Sequence, residues 1–175
     1  MDQDDLVIHK RDREQGSARH PIVVVLDMLR SAYNVGNIFR VGEVCGIEKI
    51  VTCGYTATPP HPKVEKTALG TDKLVPCEHS ESSLEAVQAL AAAGYQTVAV
   101  ETVDGAVDIW DVPFQFPVAL VFGNEALGIE EDTLRQCDIL AKLPVYGRKN
   151  SLNVGNCAAV ALYAAVRAFY AKPRT

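Results

Sequence analysis

The sequence lacks the marks of several common protein classes. Its apolar strand-like runs, Ile22–Leu26 and Val118–Phe122, are five residues each, far short of the roughly 20 that cross a bilayer. No membrane partner is expected. The N-terminus, Met1-Asp-Gln-Asp-Asp, is acidic and has no secretory h-region, so a cytoplasmic location is expected. The five cysteines (Cys45, Cys53, Cys77, Cys137, Cys157) include no CxxC pair, a pattern of free thiols in a reducing compartment. Cys77-Glu78-His79 holds two metal-ligating side chains of the usual kind with no second pair at ligand spacing, so no metal is expected. No GxGxxG follows an apolar run, which argues against a dinucleotide fold.

With 48% hydrophobic residues in 175, the chain can bury one ordinary domain core. The net charge of −5 argues at first against nucleic acid, but its distribution matters more. Residues 78–138 carry twelve Asp and Glu and a single basic residue, Arg135, which leaves an excess of six positive charges on the remainder. That asymmetry leaves room for a basic face. Clustered acidic helices facing solvent would give the same count, and charge alone favours them.

Residues 1–20 are polar and read as an N-terminal arm, ahead of a domain over 21–175. Ile22–Leu26 reads as a buried parallel strand: short, continuous and β-branched. A helix over Val35–Cys45 should stop at Gly46, with Asn34 or Ser31 as its N-cap. Strands are predicted at Lys49–Cys53, Gln96–Val100, Pro117–Phe122 and Ile139–Leu143, with a marginal one at Leu74–Pro76. Residues 54–72 are turn-rich and too long for a plain connector, which suggests a functional or mobile segment. Helices are predicted over Ser80–Ala93, opened by Ser80 or Ser82, over Glu130–Cys137, and over Ser151–Tyr170. The last is apolar around most of its circumference, as a helix buried on more than one side would be, and a subunit interface explains it most economically. Alternating strands and helices with continuous apolar strands make an α/β fold around a parallel sheet.

Three loops carry chemistry that packing does not require, and each adjoins a buried strand. Ligands of parallel sheets sit beyond the strands' carboxyl ends, so these loops should converge. The first is Asn34-Val-Gly-Asn-Ile-Phe-Arg40, which alone reads as a helix cap and a surface arginine. The second is Phe122-Gly123-Asn124-Glu125-Ala-Leu-Gly128. Its glycines resemble half a phosphate loop, but Ile129 and Glu130 replace the Lys and Ser/Thr that grip phosphate. A glycine-rich loop with one acid suits a neutral or cationic ligand. The third is Leu143-Pro144, followed by Gly147-Arg148-Lys149-Asn150-Ser151-Leu152-Asn153, where Ser151 alone could be a helix N-cap.

In order and spacing these segments resemble the three motifs of the SpoU/TrmH class of the SPOUT superfamily of RNA methyltransferases, over residues from about 22 to 170. The resemblance implies an α/β parallel-sheet sandwich whose C-terminal segment forms a deep trefoil knot. It implies S-adenosyl-L-methionine as cofactor, held largely by main chain near Gly123, Leu143 and Leu152, with Phe122, Asn124 and Gly128 alongside. It implies a homodimer acting on tRNA or rRNA at a ribose 2′-hydroxyl, with RNA-facing residues supplied across the interface. Carried over by position, Arg40 acts at the ribose hydroxyl, Asn34 and Glu125 shape the catalytic pocket, and Ser151 and Asn153 close it. A guanidinium scarcely deprotonates, so Arg40 is better cast as a fixed cation than as a base.

Two departures stand out. Many members of the class carry Ser where this chain has Gly155, and many carry an additional N-terminal RNA-binding domain, whereas about 20 polar residues precede the first strand here. The main alternative is a non-catalytic RNA-binding or ribosome-assembly protein on the same fold, and a second is a methyltransferase acting on a base nitrogen. Retention of Arg40, Glu125, Ser151 and Asn153 together favours an enzyme, and the Asn34/Arg40 and Ser151/Asn153 pattern favours the ribose.

Overall fold

The computed structural model describes residues 18–171; the expected N-terminal arm, residues 1–20, lies almost wholly outside the described residues. Seven strands form one sheet: β1 (His20–Asp27), β2 (Ile47–Cys53), β3 (Cys77–Ser80), β4 (Gln96–Val100), β5 (Val107–Asp108), β6 (Val118–Phe122) and β7 (Ile139–Lys142), in the order β3-β2-β1-β6-β4-β7-β5. Every ladder is parallel. In the centre, Val24 is flanked by Ile50 on β2 and Leu120 on β6. Parallel strands covered on both faces must be apolar throughout, which is why β1 and β6 carry unbroken hydrophobic runs.

Alternate residues of β1 serve opposite cores. Ile22, Val24 and Leu26 pack with residues of α1 (Ala32–Cys45), α2 (Pro62–Ala68) and α5 (Val154–Ala171). Val23 and Val25 pack with residues of α3 (Ser83–Ala92), and Leu134 of α4 (Glu131–Gln136) joins them. The result is the expected α/β sandwich: three layers, with each fully buried Val, Leu or Ile contributing about 1.5–3 kcal/mol relative to exposure.

Several boundaries differ from expectation for physical reasons. Strand β1 starts at His20, whose backbone N–H donates to Gly46 O at 2.8 Å and whose Nδ1 lies 2.7 Å from Cys45 O. Helix α1 starts at Ala32: Ser31 is the cap, accepting from Asn34 N at 3.3 Å, and Asn34 is released from that role. The turn-rich segment 54–72 contains α2 and a 3-10 turn, Thr71–Lys73, packed against α1. Strand β3 lies at Cys77–Ser80, not Leu74–Pro76, because Ile50 N pairs with Pro76 O and the register runs on from Cys77 beside Ile50. Helix α3 is opened by Ser82, which accepts from Glu85 N at 3.2 Å, while Ser80 stays in β3. The short edge strand β5 had no sequence counterpart.

Helix α5 is, among the described residues, the one helix long and apolar enough by length and composition to cross a membrane. Within the fold it packs on α1 and buries Val154, Gly155, Ala158, Ala161, Leu162, Ala164 and Ala165. Near its end half-buried Phe169 sits edge-on to His20 and Phe116, with ring centroids 5.1 Å apart in both pairs, so its ring contacts lie within the protomer.

Candidate functional site

The loops leaving the carboxyl ends of β4, β6 and β7 enclose a cleft of about 740 Å³, lined by residues 100–103, 122–129 and 150–154 with Leu143, Val145 and others. Phe122, Gly123, Asn124, Gly128, Leu143 and Leu152 all line it, as do Glu125, Ser151 and Asn153. Asn34 borders it through hydrogen bonds. Arg40 is exposed on α1 and is not among the lining residues.

The second loop is a closed turn. Asn124 N donates to Gly128 O at 3.0 Å and Gly128 N to Asn124 O at 2.9 Å. Gly123 passes so close that a Cβ there would strike the backbone of Gly128 and Ile129, and Gly128 has a φ of +74°. The side chain of Asn124 is committed to the loop itself: Oδ1 accepts from Ala126 N and Leu127 N, and Nδ2 donates to Met28 O and to the Tyr55 hydroxyl, each at 2.6 Å. Its main-chain N–H and C=O are paired with Gly128 as well, so Asn124 shapes the loop, whereas Phe122, its ring fully buried in the core, presents only main chain to the cleft.

A hydrogen-bonded line ties the three motifs together. Glu125 accepts from Arg30 N at 2.8 Å, from Ser31 N at 3.1 Å and from Asn34 Nδ2 at 2.8 Å. Asn34 Oδ1 in turn accepts from Asn153 Nδ2 at 3.2 Å. Burial pushes the Glu125 carboxyl up, but the N–H of Arg30, the Asn34 amide and the N–H of Ser31 together outweigh it and hold the group below the usual glutamate range. Asn153, not Ser151, opens α5: its Oδ1 accepts from Gly155 N at 3.0 Å and Asn156 N at 3.3 Å. Ser151 is exposed and free of that capping role. A Cβ at Gly155 would come within 2.7 Å of Asn37 Nδ2, so a serine there requires that side-chain amide to shift.

Two carboxylates missed in the sequence brace the cleft from below. Glu101, just past β4, accepts from Thr102 N at 2.8 Å and Ile129 N at 3.2 Å. Asp27, at the end of β1 and 1% exposed, accepts from Glu130 N at 3.1 Å through Oδ2, while its buried Oδ1 has no hydrogen-bond partner. For Asp27 a signal was available: it ends the continuous apolar run of β1, where a buried carboxylate has no packing reason to be, whereas Glu101 follows the mixed strand β4 and is half-buried.

Among the described residues lining the cleft there are two glutamates, Glu101 and Glu125, and no Lys, Arg or His. Polyphosphate has no counter-charge there, whereas a cation does and a neutral ligand needs none. Glycine main chain beside Leu143, Leu152 and Ile129 fits a flat heterocycle with an amino-acid tail, so S-adenosyl-L-methionine suits the donor set. Cys157 also lines the cleft, its thiol pushed up to about 11 by burial and by Glu101. No group of three or more His, Cys, Asp or Glu among the described residues is placed to hold a metal ion, and Cys77-Glu78-His79 lies along edge strand β3.

A parallel α/β sandwich with a preformed cleft at its strand ends is a ligand-binding domain of the kind that carries small cofactors. Residues 21–163 match the SpoU rRNA Methylase family, and the chain belongs to it. It is 32% identical over 148 residues, 82% of this chain, to the 23S rRNA (uridine(2479)-2'-O)-methyltransferase of Streptomyces viridochromogenes. It is 28% identical over 162 residues, 91% of this chain, to the 23S rRNA (guanosine-2'-O-)-methyltransferase RlmB of Vibrio parahaemolyticus. An AdoMet-bound rRNA methyltransferase structure from Sinorhizobium meliloti superposes with a TM-score of 0.79 at 29% identity, covering 88% of this chain and 62% of that one. The chain spans 52% and 65% of the lengths of the two relatives.

Proposed function

We propose that this protein is an S-adenosyl-L-methionine-dependent methyltransferase acting on a ribose 2′-hydroxyl of tRNA or rRNA. The observation that carries the reading is the line Glu125–Asn34–Asn153, which joins all three motifs at the rim of a cleft without cations. The activities named for the two ribosomal relatives, and the AdoMet bound in the Sinorhizobium meliloti structure, support it.

In this reading the main chain near Gly123, Leu143 and Leu152, with Phe122, Asn124 and Gly128, holds the cofactor. Bound there, it supplies an electrophilic methyl group on a cationic sulfur. Glu125 fixes the start of α1 and the Asn34 amide, and Asn34 with Asn153 and Ser151 closes the acceptor side. Alignment of hydroxyl oxygen, methyl carbon and sulfur is most of the catalysis. Arg40 is a fixed cation that stabilises the 2′-oxyanion as it develops or grips an adjacent phosphate, and the hydroxyl proton leaves to phosphate or water.

A homodimer belongs to this reading. Trp110, 55% exposed, and Tyr163, 56% exposed, border an apolar depression with Ala159, Val160, Ala164 and Arg167 on one side of α5. A second copy covering that face would account for the apolar circumference of α5 without a membrane, and would let one protomer's Arg40 serve its partner's cleft. The trefoil knot, a cytoplasmic setting, a metal-free site, and a methyltransferase domain over 21–175 preceded by a polar arm are part of the same proposal. The placement of β7 between β4 and β5, followed by the return of 143–153 to α1, supports a threaded C-terminal segment.

Two measurements test the activity. Calorimetric titration with S-adenosylhomocysteine should saturate at tens of micromolar ligand, roughly −6 to −8 kcal/mol, and no heat there would sink the cofactor assignment. Nucleoside analysis of RNA from a deletion strain should lack one 2′-O-methyl mark. Loss of a base methyl instead would move the reaction to a ring nitrogen, and cofactor-independent RNA binding would favour the assembly protein.

A further inference from the structure

The turn after β2, residues 54–58, is tied down more firmly than a connector needs. Thr56 is buried: its Oγ1 donates to Leu26 O at 3.1 Å and accepts from Leu29 N at 2.9 Å. Thr58 Oγ1 lies 2.6 Å from Thr52 Oγ1 and donates to Thr56 O at 3.1 Å, and Gly54 N donates to Ser80 O at 3.1 Å. The residue so fixed is Tyr55. A surface tyrosine ordinarily buries its ring and leaves the hydroxyl in water. Tyr55 does the reverse: its hydroxyl accepts from Asn124 Nδ2 at 2.6 Å, and Asn124 is 5% exposed, while the tyrosine as a whole is 59% exposed.

The same asparagine donates to Met28 O at 2.6 Å, and two residues on, Arg30 is exposed with its backbone N–H held by Glu125 at 2.8 Å. Tyr55 and Arg30 are therefore anchored to adjacent residues, Asn124 and Glu125, of the loop that forms the cleft, and neither side chain lines the cleft itself. An exposed tyrosine on a firmly tied turn and an exposed arginine, anchored to neighbouring residues of one loop, match what single-stranded RNA offers, a base to stack and a phosphate near it. We infer that Tyr55 and Arg30 form a nucleotide seat on the rim of the cleft, Tyr55 stacking on a base of the substrate RNA and Arg30 meeting a neighbouring phosphate. The inference rests on the RNA methyltransferase reading for its ligand class and assigns the residues that present the nucleotide.

Methyl incorporation into total RNA from a deletion strain tests it with Tyr55→Phe, Tyr55→Leu and Arg30→Ala. Tyr55→Leu should raise the KM for RNA by about tenfold or more, the scale of one lost base–aromatic stack, with kcat and S-adenosylhomocysteine affinity near wild type. Tyr55→Phe keeps the ring and should stay within a few-fold of wild type. Arg30→Ala should weaken RNA binding and lower its salt slope by about one, as loss of one phosphate contact does. Irradiation with a short random-sequence single-stranded RNA containing 5-iodouridine should crosslink at Tyr55. A wild-type KM for Tyr55→Leu overturns the seat, as does equal damage from Phe and Leu, which would make the residue a support for Asn124. A fall in S-adenosylhomocysteine affinity on loss of the ring would assign the face to the cofactor and overturn it too. If no RNA were methylated but Tyr55 crosslinked, the seat would stand and the methyltransferase reading would fall; methylation indifferent to the ring gives the converse.

Discussion

Asn34 donates its side-chain amide to Glu125 at 2.8 Å across 91 positions of sequence, and the same carboxylate caps the backbone of Arg30 and Ser31 just before α1. One acid thus fixes a helix entry, where a negative charge is favoured, and orients the amide that meets Asn153. Replacing Glu125 with Ala should lower stability by about 1–2 kcal/mol, since hydrogen bonds to a carboxylate exceed neutral ones but solvent screens this group. Turnover should fall further than cofactor affinity. Urea denaturation and single-turnover methylation read the two effects.

The depressed carboxyl of Glu125 has a pH consequence. A group whose folded pKa lies below its unfolded value stabilises the fold above the unfolded value, about 4.3 for glutamate. That contribution disappears as pH falls through the lower folded pKa. The stability gap between wild type and Glu125→Gln should therefore be flat from pH 8 to about 5 and narrow below about 4. Urea midpoints showing a constant gap down to pH 3 would remove the proposed clamp.

Gly123→Ala places a methyl against the backbone of Gly128 and Ile129, with no flexible side chain to yield. The fold should lose about 1–3 kcal/mol from overpacking. S-adenosylhomocysteine affinity should fall at least tenfold, because the turn must open to admit the methyl. Calorimetry on the folded variant checks this, and unchanged affinity would separate the turn from the ligand.

Arg40 is exposed and lies outside the cleft lining of its own chain. If it supplies charge at the reacting oxygen, Arg40→Ala should cut turnover about 10²–10³-fold with cofactor affinity unchanged. Arg40→Lys should recover part of the rate, since it keeps the charge and loses the planar fork. An ordinary surface arginine would cost under ~0.5 kcal/mol of stability and no rate. Mixed dimers of Arg40→Ala with a Glu125→Ala chain would regain activity if the arginine serves the partner's cleft.

Tyr163→Asp places a charge on the exposed face of α5. On the proposed homodimer, wild type should sediment as a dimer at micromolar concentration and the variant as a folded monomer. Phe169 is the wrong probe, because its contacts with His20 and Phe116 lie inside one protomer and a charge there should unfold the chain.

The central sheet was readable because β1 and β6 are buried on both faces and so leave unbroken apolar runs. Helix α2 was not, since a seven-residue helix among Pro, Thr and His offers no full apolar period. The sequence places β3 at Leu74–Pro76 because half-solvated Cys-Glu-His-Ser lacks the apolar, β-branched signal that buried Val75 beside exposed Leu74 supplies. In the site, the resemblance to the SpoU/TrmH motifs marked Asn34, Glu125 and Asn153, but not how their side chains pair. Asn124 lines the cleft with its side chain tied into its own loop, and Asn153 takes the capping place that Ser151 could have filled. What Asp27 and Glu101 hold is not legible locally, because Glu130 N and Ile129 N lie on a loop distant in sequence.

Strand order also sets when the site can exist. β1 holds the middle of the sheet only once β6 lies beside it, joining residues 22–26 to 118–122, and Asn34 finds Asn153 only after β7 and the return loop are in place. Such long-range parallel pairing bears its loop-closure cost before the contacts repay it, which makes folding slow. During synthesis β1 can pair with β2 on one side, but its other edge waits, apolar and open, until β6 emerges, and the candidate constellation is the last thing to close. A chain stopped short of α5 keeps Asn34 and Glu125 but has nothing to bring Asn153 to them, so truncation should abolish the site outright instead of weakening it by degrees.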